Sequence, residues 1–208
     1  MYGFVDGRFI GNPGLKPERS TGWEAGLEQS VGRQSLVGVT YFDSRLKDEI
    51  FTSFPPPDFV ASPANRNTKS TQRGIEAFAA LRFDPAWRID AAYTWLRARE
   101  NGVEETRRAR HIASLAVDWR APGDRGGLNL VARYNGAQAD DAFLDPSFIP
   151  TRVRLGDYLL VNAGADWALT RGLSLFARAE NLLDEEYEQV FSFTNPGRAV
   201  YAGLKARL

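Results

Sequence analysis

The 208-residue chain has no cysteine and a single histidine, His111. Without thiols there is no disulfide framework, no thiolate metal site and no cysteine nucleophile. One imidazole is too few for a histidine metal centre, and a Ser-His-Asp triad has little to draw on. An excess of one charge is also missing. Lys+Arg number 26 and Asp+Glu number 26, which argues against a nucleic-acid binder with a basic face. No stretch approaches the roughly 18 apolar residues of a membrane helix. The richest, 112–117, is short and diluted by Ala and Ser. The first six residues show neither the basic nor the apolar segment of an export leader. A chain that starts in this way is cytoplasmic or a piece of something longer, and the rest of the pattern favours the piece. What is present is a folding composition, 43% hydrophobic, 12% aromatic and 25% charged. The length allows one domain or two small ones.

The dominant signal is alternation with period two, the mark of strands with two unlike faces. In 87–96 the apolar phase is Trp87, Ile89, Ala91, Tyr93 and Trp95, with Arg88, Asp90 and Thr94 between. Segments 111–120, 127–135, 158–167, 173–180 and 200–208 repeat it, through Leu115 and Val117, Leu128 and Leu130, Leu159 and Val161, Leu173 and Leu175, and Val200 and Leu204. Weaker versions lie at 20–30, 35–45 and 73–82, where Leu36, Phe42 and Phe78 break the phase. The pattern predicts about nine strands of about ten residues, longer than the usual 5–6 and matching the 9–11 of a tilted strand crossing a bilayer.

The connections alternate short and long. Turns rich in Gly, Pro and Asp fall at 31–34, 83–86, 121–126 and 169–172, and long segments near 46–72, 97–110, 136–157 and 181–197. In an antiparallel meander every second connection falls on the same edge, so one edge has tight turns and the other long loops. All five Trp lie in the apolar phase at strand ends. Trp87, Trp119 and Trp167 adjoin short turns; Trp23 and Trp95 adjoin long loops, with Tyr134 beside them. If the apolar phase faces lipid, these residues form two interfacial girdles. The alternative is a soluble all-β binding module, a sandwich or lectin-like domain with the Trp in its core. A sandwich core prefers its largest residues mid-strand, whereas many mid-strand apolar positions here are Ala. An enzyme comes third, since no nucleophile–base pair or metal set emerges.

Three motifs resemble those of TonB-dependent outer-membrane receptors. Gly11-Asn12-Pro13-Gly14-Leu15-Lys16-Pro17-Glu18 is similar to their "NP-x-LKPE" segment, and Gly74-Ile75-Glu76 to their "GxE" strand start. Asn181-Leu182-Leu183-Asp184-Glu185-Glu186-Tyr187-Glu188, followed by Pro196-Gly197-Arg198 and a last strand, resembles their C-terminal signature. The match looks closest to the vitamin B12 receptor branch, and siderophore receptors share the motifs. The resemblance implies an all-β fold, an antiparallel meander forming the C-terminal part of a transmembrane β-barrel over 1–208, with the plug domain absent. It implies a place in the outer membrane, uptake of cobalamin or a ferric siderophore, no cofactor, and TonB as a partner only through the missing plug. The long loops are then extracellular. The last residue is Leu208, where the family usually ends in an aromatic.

Exposed aromatics on long loops are candidates for ligand capture. Phe59, Asn65, Phe143, Phe148 and Phe193 are the expected contacts. The acidic clusters Asp184, Glu185, Glu186, Glu188 and Asp140, Asp141, Asp145 read first as solvated loop, with Ca²⁺ as the weaker option. Arg107, Arg108 and Arg110 either meet lipopolysaccharide phosphates or pair with Glu104 and Glu105.

Overall fold

The computed structural model describes residues 8–206 apart from Asp145, Ser147 and Phe148. Each alternating segment becomes a strand. β1 (Arg19–Val31) and β2 (Ser35–Lys47) form the first hairpin, turning through Gly32 at φ 65°. β3 (Ile50–Ser53) and β4 (Ser62–Asn65) make a small separate hairpin. Next come β5 (Lys69–Asp84), β6 (Trp87–Glu100) and the two-residue β7 (Val103–Glu104). β8 (His111–Arg120) and β9 (Gly126–Asn135) precede a second separate hairpin, β10 (Gln138–Ala142) with β11 (Thr151–Leu155). β12 (Tyr158–Ala168), β13 (Leu173–Glu180) and β14 (Ala199–Ala206) complete the chain. The main sheet runs β1-β2-β5-β6-β8-β9-β12-β13-β14, antiparallel throughout, with β7 added to β6. Among the described residues, β1 and β14 are each paired on one side only.

The register separates two faces, because directly opposed residues on antiparallel strands share a face. One row reads Ile89, Val117, Leu130, Ala163, Ala179, Val200; the row two residues away reads Ala79, Ala91, Leu115, Ala132, Val161. The opposite face carries Arg88, Asp118, Asn129, Gly164, Arg178 and Tyr201 in one row. Charges on this polar face pair: Arg82 and Arg88 both reach Asp90 at 2.9 Å. Arg120 reaches Asp166 at 3.3 Å across the intervening β9. It passes over Gly127, where a Cβ would lie 3.0 Å from its guanidinium.

The polar face is less polar than strict alternation predicts. Phe42, Phe78 and Phe176 lie on it, each packed against a glycine of the neighbouring strand. An added Cβ at Gly74 would meet Phe42 at 2.7 Å, at Gly38 Phe78 at 2.4 Å, and at Gly203 Phe176 at 2.8 Å. The ring covers backbone that glycine leaves bare, a cross-strand pairing that pins register. Gly74, of the "GxE" motif, also lies 2.3 Å by this measure from the Trp95 carbonyl.

A sandwich would stack two sheets face to face over a dry core about 10 Å thick. Here the main sheet is a single layer, and the buried hydrophobic residues are Ala98, Ala109, Ala121, Ala142 and Leu155. Large side chains such as Leu27, Leu128 and Leu204 stand exposed on the apolar face. The soluble-module alternative is not supported, since that face finds no protein partner among the described residues. The segments expected as plain loops also differ: 46–72 contains β3–β4 and the start of β5, 97–110 contains the end of β6 and β7, and 136–157 contains β10–β11.

Candidate functional site

The connections β2–β5, β6–β8, β9–β12 and β13–β14 fall on one edge of the sheet, and side-chain acceptors lock them together. Asp140, 1% exposed, is the centre. Its Oδ1 accepts from Arg107 Nε at 2.8 Å and from the Asp141 backbone N–H at 2.9 Å, and its Oδ2 accepts from the Phe191 N–H at 2.8 Å. One carboxylate thus joins three loops. Burial pushes its pKa up, but the Phe191 and Asp141 amides and Arg107 outweigh this and hold it below the usual carboxylate value. Gln138 adds a bond to the Gln189 carbonyl at 3.1 Å.

The sequence motifs prove to be staples. Asn12 donates to the Pro63 carbonyl at 3.0 Å, and Glu18 accepts from the Ile50 N–H at 2.6 Å. Asn65 accepts from the Lys16 N–H at 2.7 Å and donates to the carbonyls of Lys16 and Asp48 at 2.8 and 2.7 Å. Asn181, at φ 48°, accepts from the Glu185 N–H and donates to the Glu185 carbonyl, both at 2.9 Å. Asp184 accepts from the Arg198 N–H at 2.8 Å. Side chains that take up orphan N–H groups let irregular backbone hold one shape.

Beneath this layer, on the polar face, lies a cleft of about 430 Å³ between the upper parts of β5 and β6, the β7 turn and the β10–β11 hairpin. Glu100 accepts from Thr68 Oγ1 at 2.6 Å and pairs with Arg66 at 3.2 Å. The Thr68 hydroxyl, and less strongly Arg66, keep its pKa below the usual carboxylate value against the opposing effect of burial. Glu105 accepts from Ser70 at 2.9 Å and Gln72 at 3.1 Å, and Arg108 lies 3.8 Å away. Arg152 pairs with Asp141 at 3.2 Å and bonds the Glu104 carbonyl. The cleft carries four carboxylates (Glu49, Glu100, Glu105, Asp141) and three guanidinium groups (Arg66, Arg108, Arg152), and Glu104 borders it with its backbone carbonyl while its carboxylate pairs with Arg110.

None of the expected contact residues lines this cleft. Phe59, Phe143 and Phe193 are exposed at 64, 62 and 70% on three different loops. The amide of Asn65 is engaged as described, and Phe148 lies outside the described residues, as does Asp145. Arg108 and Arg110 pair with Glu105 and Glu104, while Arg107 goes to Asp140. No cluster of three or more potential metal ligands occurs among the described residues. Ser70, Gln72 and Glu100 were missed because the strand phase was followed only to the expected loop boundary, and Glu105 was expected only as a partner of the arginine run. Continued one to four residues further, the phase places Ser70, Gln72 and Glu100 on the polar face.

Both ends of the apolar face carry aromatics. Trp87 and Trp119 sit 6.4 Å apart beside the short turns, in register with Leu128, and Trp167 lies at the same end. At the long-loop end Trp23 packs on Tyr41 at 5.2 Å, Trp95 is opposite His111, and Tyr93 shares a 2.8 Å hydrogen bond with His111 Nδ1. Tyr134 donates to Asp157 at 3.2 Å.

A family model described as "TonB dependent receptor-like, beta-barrel" matches residues 1–182. The vitamin B12 transporter BtuB of Photobacterium profundum is 29% identical over 201 residues, covering 92% of this chain and 30% of that protein. An iron-regulated outer membrane virulence protein of Vibrio cholerae is 26% identical over 223 residues, covering 95% and 32%. The pyoverdine outer membrane receptor FpvA of Pseudomonas aeruginosa, solved bound to pyoverdine, superposes with a TM-score of 0.78 at 18% identity, covering 99% of this chain and 31% of that one. The chain spans about a third of the length of these relatives.

Proposed function

Because the chain belongs to the TonB-dependent receptor β-barrel family and its place is the outer membrane, we propose that it supplies wall and loop surface to a receptor importing a nutrient chelate, cobalamin in preference to a ferric siderophore. The apolar face meets lipid, and the polar face and its cleft line the ligand's path. The single-sided pairing of β1 and β14 supports reading the chain as the C-terminal part of a wider barrel wall. TonB would be engaged by such a receptor's plug.

The charge of the cleft carries the ligand preference. Four carboxylates against three guanidinium groups disfavour an anionic ferric chelate. They suit a ligand rich in amides, which finds acceptors in Glu100 and Glu105 and both donors and acceptors in Ser70 and Gln72. Phe59, Phe143 and Phe193 at the loop tips offer first contact to the apolar parts of such a ligand. Asn65 acts by holding the β3–β4 hairpin that carries Phe59.

The test joins this chain to the plug and preceding strands of a vitamin B12 transporter and measures uptake of cobalamin and of ferric chelates side by side. Cobalamin uptake is expected. Changing Ser70 and Gln72 to Ala together should lower it about tenfold, the worth of one or two hydrogen bonds. Phe143→Ala with Phe193→Ala should lower it further. Uptake of a ferric chelate alone would move the receptor to the siderophore branch, and cobalamin uptake indifferent to all four changes would remove these residues from the site.

A further inference from the structure

Above the aromatic girdle at the long-loop end, the lipid-side face of β1, β2, β5 and β6 turns strongly basic. The register defines three rows there. The first reads Trp23, Asp43, Arg73, Arg97; the second Thr21, Arg45, Thr71, Arg99; the third Arg19, Lys47, Lys69. Successive rows are two residues apart, so they lie roughly 7, 14 and 20 Å beyond the row holding Tyr41 and Trp95. Seven cations occupy these rows with one carboxylate, Asp43, and Glu104 of β7 beside Arg99 at the end of the second.

Three of the cross-strand pairs put like charges directly opposite: Arg19 with Lys47, Lys47 with Lys69, and Arg73 with Arg97. Such pairs destabilise a sheet when nothing lies between them. Among the described residues, Arg45 alone of the seven has a carboxylate within 4 Å, Asp43 at 3.6 Å. Arg97 lies within the electrostatic reach of Arg99, Arg73 and Arg110. The Nε of Arg99 is buried without a hydrogen-bond acceptor. Self-repelling cations and an orphaned guanidinium N–H both call for an anion that the protein does not supply.

The patch has a defined position. It is continuous with the Trp23–Tyr41 and Trp95 belt and therefore lies at headgroup height. The other strands do not share it: beyond Tyr134 stands Asp157, and Arg198 is taken by Asp184. We infer that this face of β1, β2, β5 and β6 is a docking surface for phosphorylated glycolipid of the outer leaflet, whose phosphate oxygens sit between the opposed cations and accept from Arg73, Arg97 and Arg99. The inference rests on the outer-membrane placement and is independent of which chelate the cleft binds. Arg107, Arg108 and Arg110, the run that sequence singles out, serve the protein's own carboxylates instead.

The test uses the chain joined to the plug and preceding strands of a vitamin B12 transporter, purified in neutral detergent micelles, with unfolding followed by tryptophan fluorescence. Titration with bis-phosphorylated lipid A should raise the unfolding temperature. Dephosphorylated lipid A, and inorganic phosphate at the same concentration, should not. The quadruple variant Lys47→Gln, Lys69→Gln, Arg73→Gln, Arg97→Gln should lose affinity for lipid A on the order of a hundredfold. Without lipid it should melt no lower than the parent, because the opposed charges are gone. Lys47→Gln alone, a milder change, should weaken binding several-fold. Arg125→Gln with Arg171→Gln, at the short turns, should leave binding unchanged. An equal response to dephosphorylated lipid A or to inorganic phosphate, or full retention of lipid A binding by the quadruple variant, would overturn the assignment.

Discussion

The two ends of the strands are built in opposite ways. At the short-turn end each turn is shaped by its own residues: Asp84 accepts from the N–H groups of Ala86 and Trp87, two and three residues on, and Leu169 and Thr170 both bond the Leu173 carbonyl, while bonds such as Arg82 N–H to Ser35 Oγ at 2.8 Å and Ala168 N–H to the Arg125 carbonyl at 2.7 Å run between neighbouring turns. At the long-loop end the shaping contacts are distant. Asp140 joins residues 33 and 51 positions away, Asn65 reaches back 49, and Asn12 reaches forward 51. A short turn is specified by its own residues, whereas the loop layer exists only once the strands have set their edges side by side. The loop end should accordingly yield first to single polar changes, while the turn end should respond mainly to loss of apolar anchors.

The largest effect is expected from Asp140→Ala. It strands two backbone N–H groups and the Arg107 charge, at a cost of about 3 kcal/mol. Limited proteolysis should then cut the 101–110 and 181–197 loops while the strands stay protected. If the loops remain as resistant as in the parent, Asp140 is not their common anchor.

Asn181→Ala comes next, at about 2 kcal/mol, because the Glu185 N–H and carbonyl lose their shared partner. Hydrogen exchange should accelerate at the Glu185 amide first. At the other end, Trp119→Ala removes one ring of the Trp87 pair and one interfacial anchor, about 1 kcal/mol. It should lower the unfolding temperature without exposing any loop to protease. Loop cleavage in Trp119→Ala would show that the two ends are coupled rather than independent.

The smallest effect is from pH. Asp140 and Glu100 have folded pKa values below their unfolded ones, so the stability they contribute is present above the unfolded pKa, near 4, and is lost as pH falls through the folded values. Loop protection should stay flat from neutral pH down to about 4 and decline only below it. In Asp140→Asn that decline should be shallower. A loss of protection beginning near pH 6 would contradict the assignment to these two carboxylates.

The same contrast explains what could be read from sequence. All nine long strands were legible, because a wall with two unlike faces writes a period of two into every segment, as in Trp87–Glu100 and Tyr158–Ala168. β3–β4 and β10–β11 were not. Ser62–Asn65 is SPAN and Gln138–Ala142 is QADDA, and neither alternates, because neither belongs to the main sheet. The role of Asp140 was hidden in an acidic cluster, since its partners come from other loops. Asn12, Asn181 and Asp184 were visible as motif residues, but that they act as staples appeared only with their backbone partners. The basic rows above the girdle escaped notice because opposed charges become apparent only when register is known.

The measurement that bears most directly on the wall is a cysteine scan, made clean by the absence of native cysteine. Single substitutions Val117→Cys, Leu130→Cys and Val161→Cys sample the apolar phase; Asp118→Cys, Asn129→Cys and Asn162→Cys sample the polar one. Each is labelled in outer membranes with a membrane-impermeant thiol reagent, and again with a fluorophore quenched by brominated lipid. The apolar set should resist the aqueous reagent and be quenched by lipid, and the polar set should show the reverse, switching at every residue. Equal labelling of neighbours, or aqueous labelling at 117, 130 and 161, would contradict a lipid-facing wall.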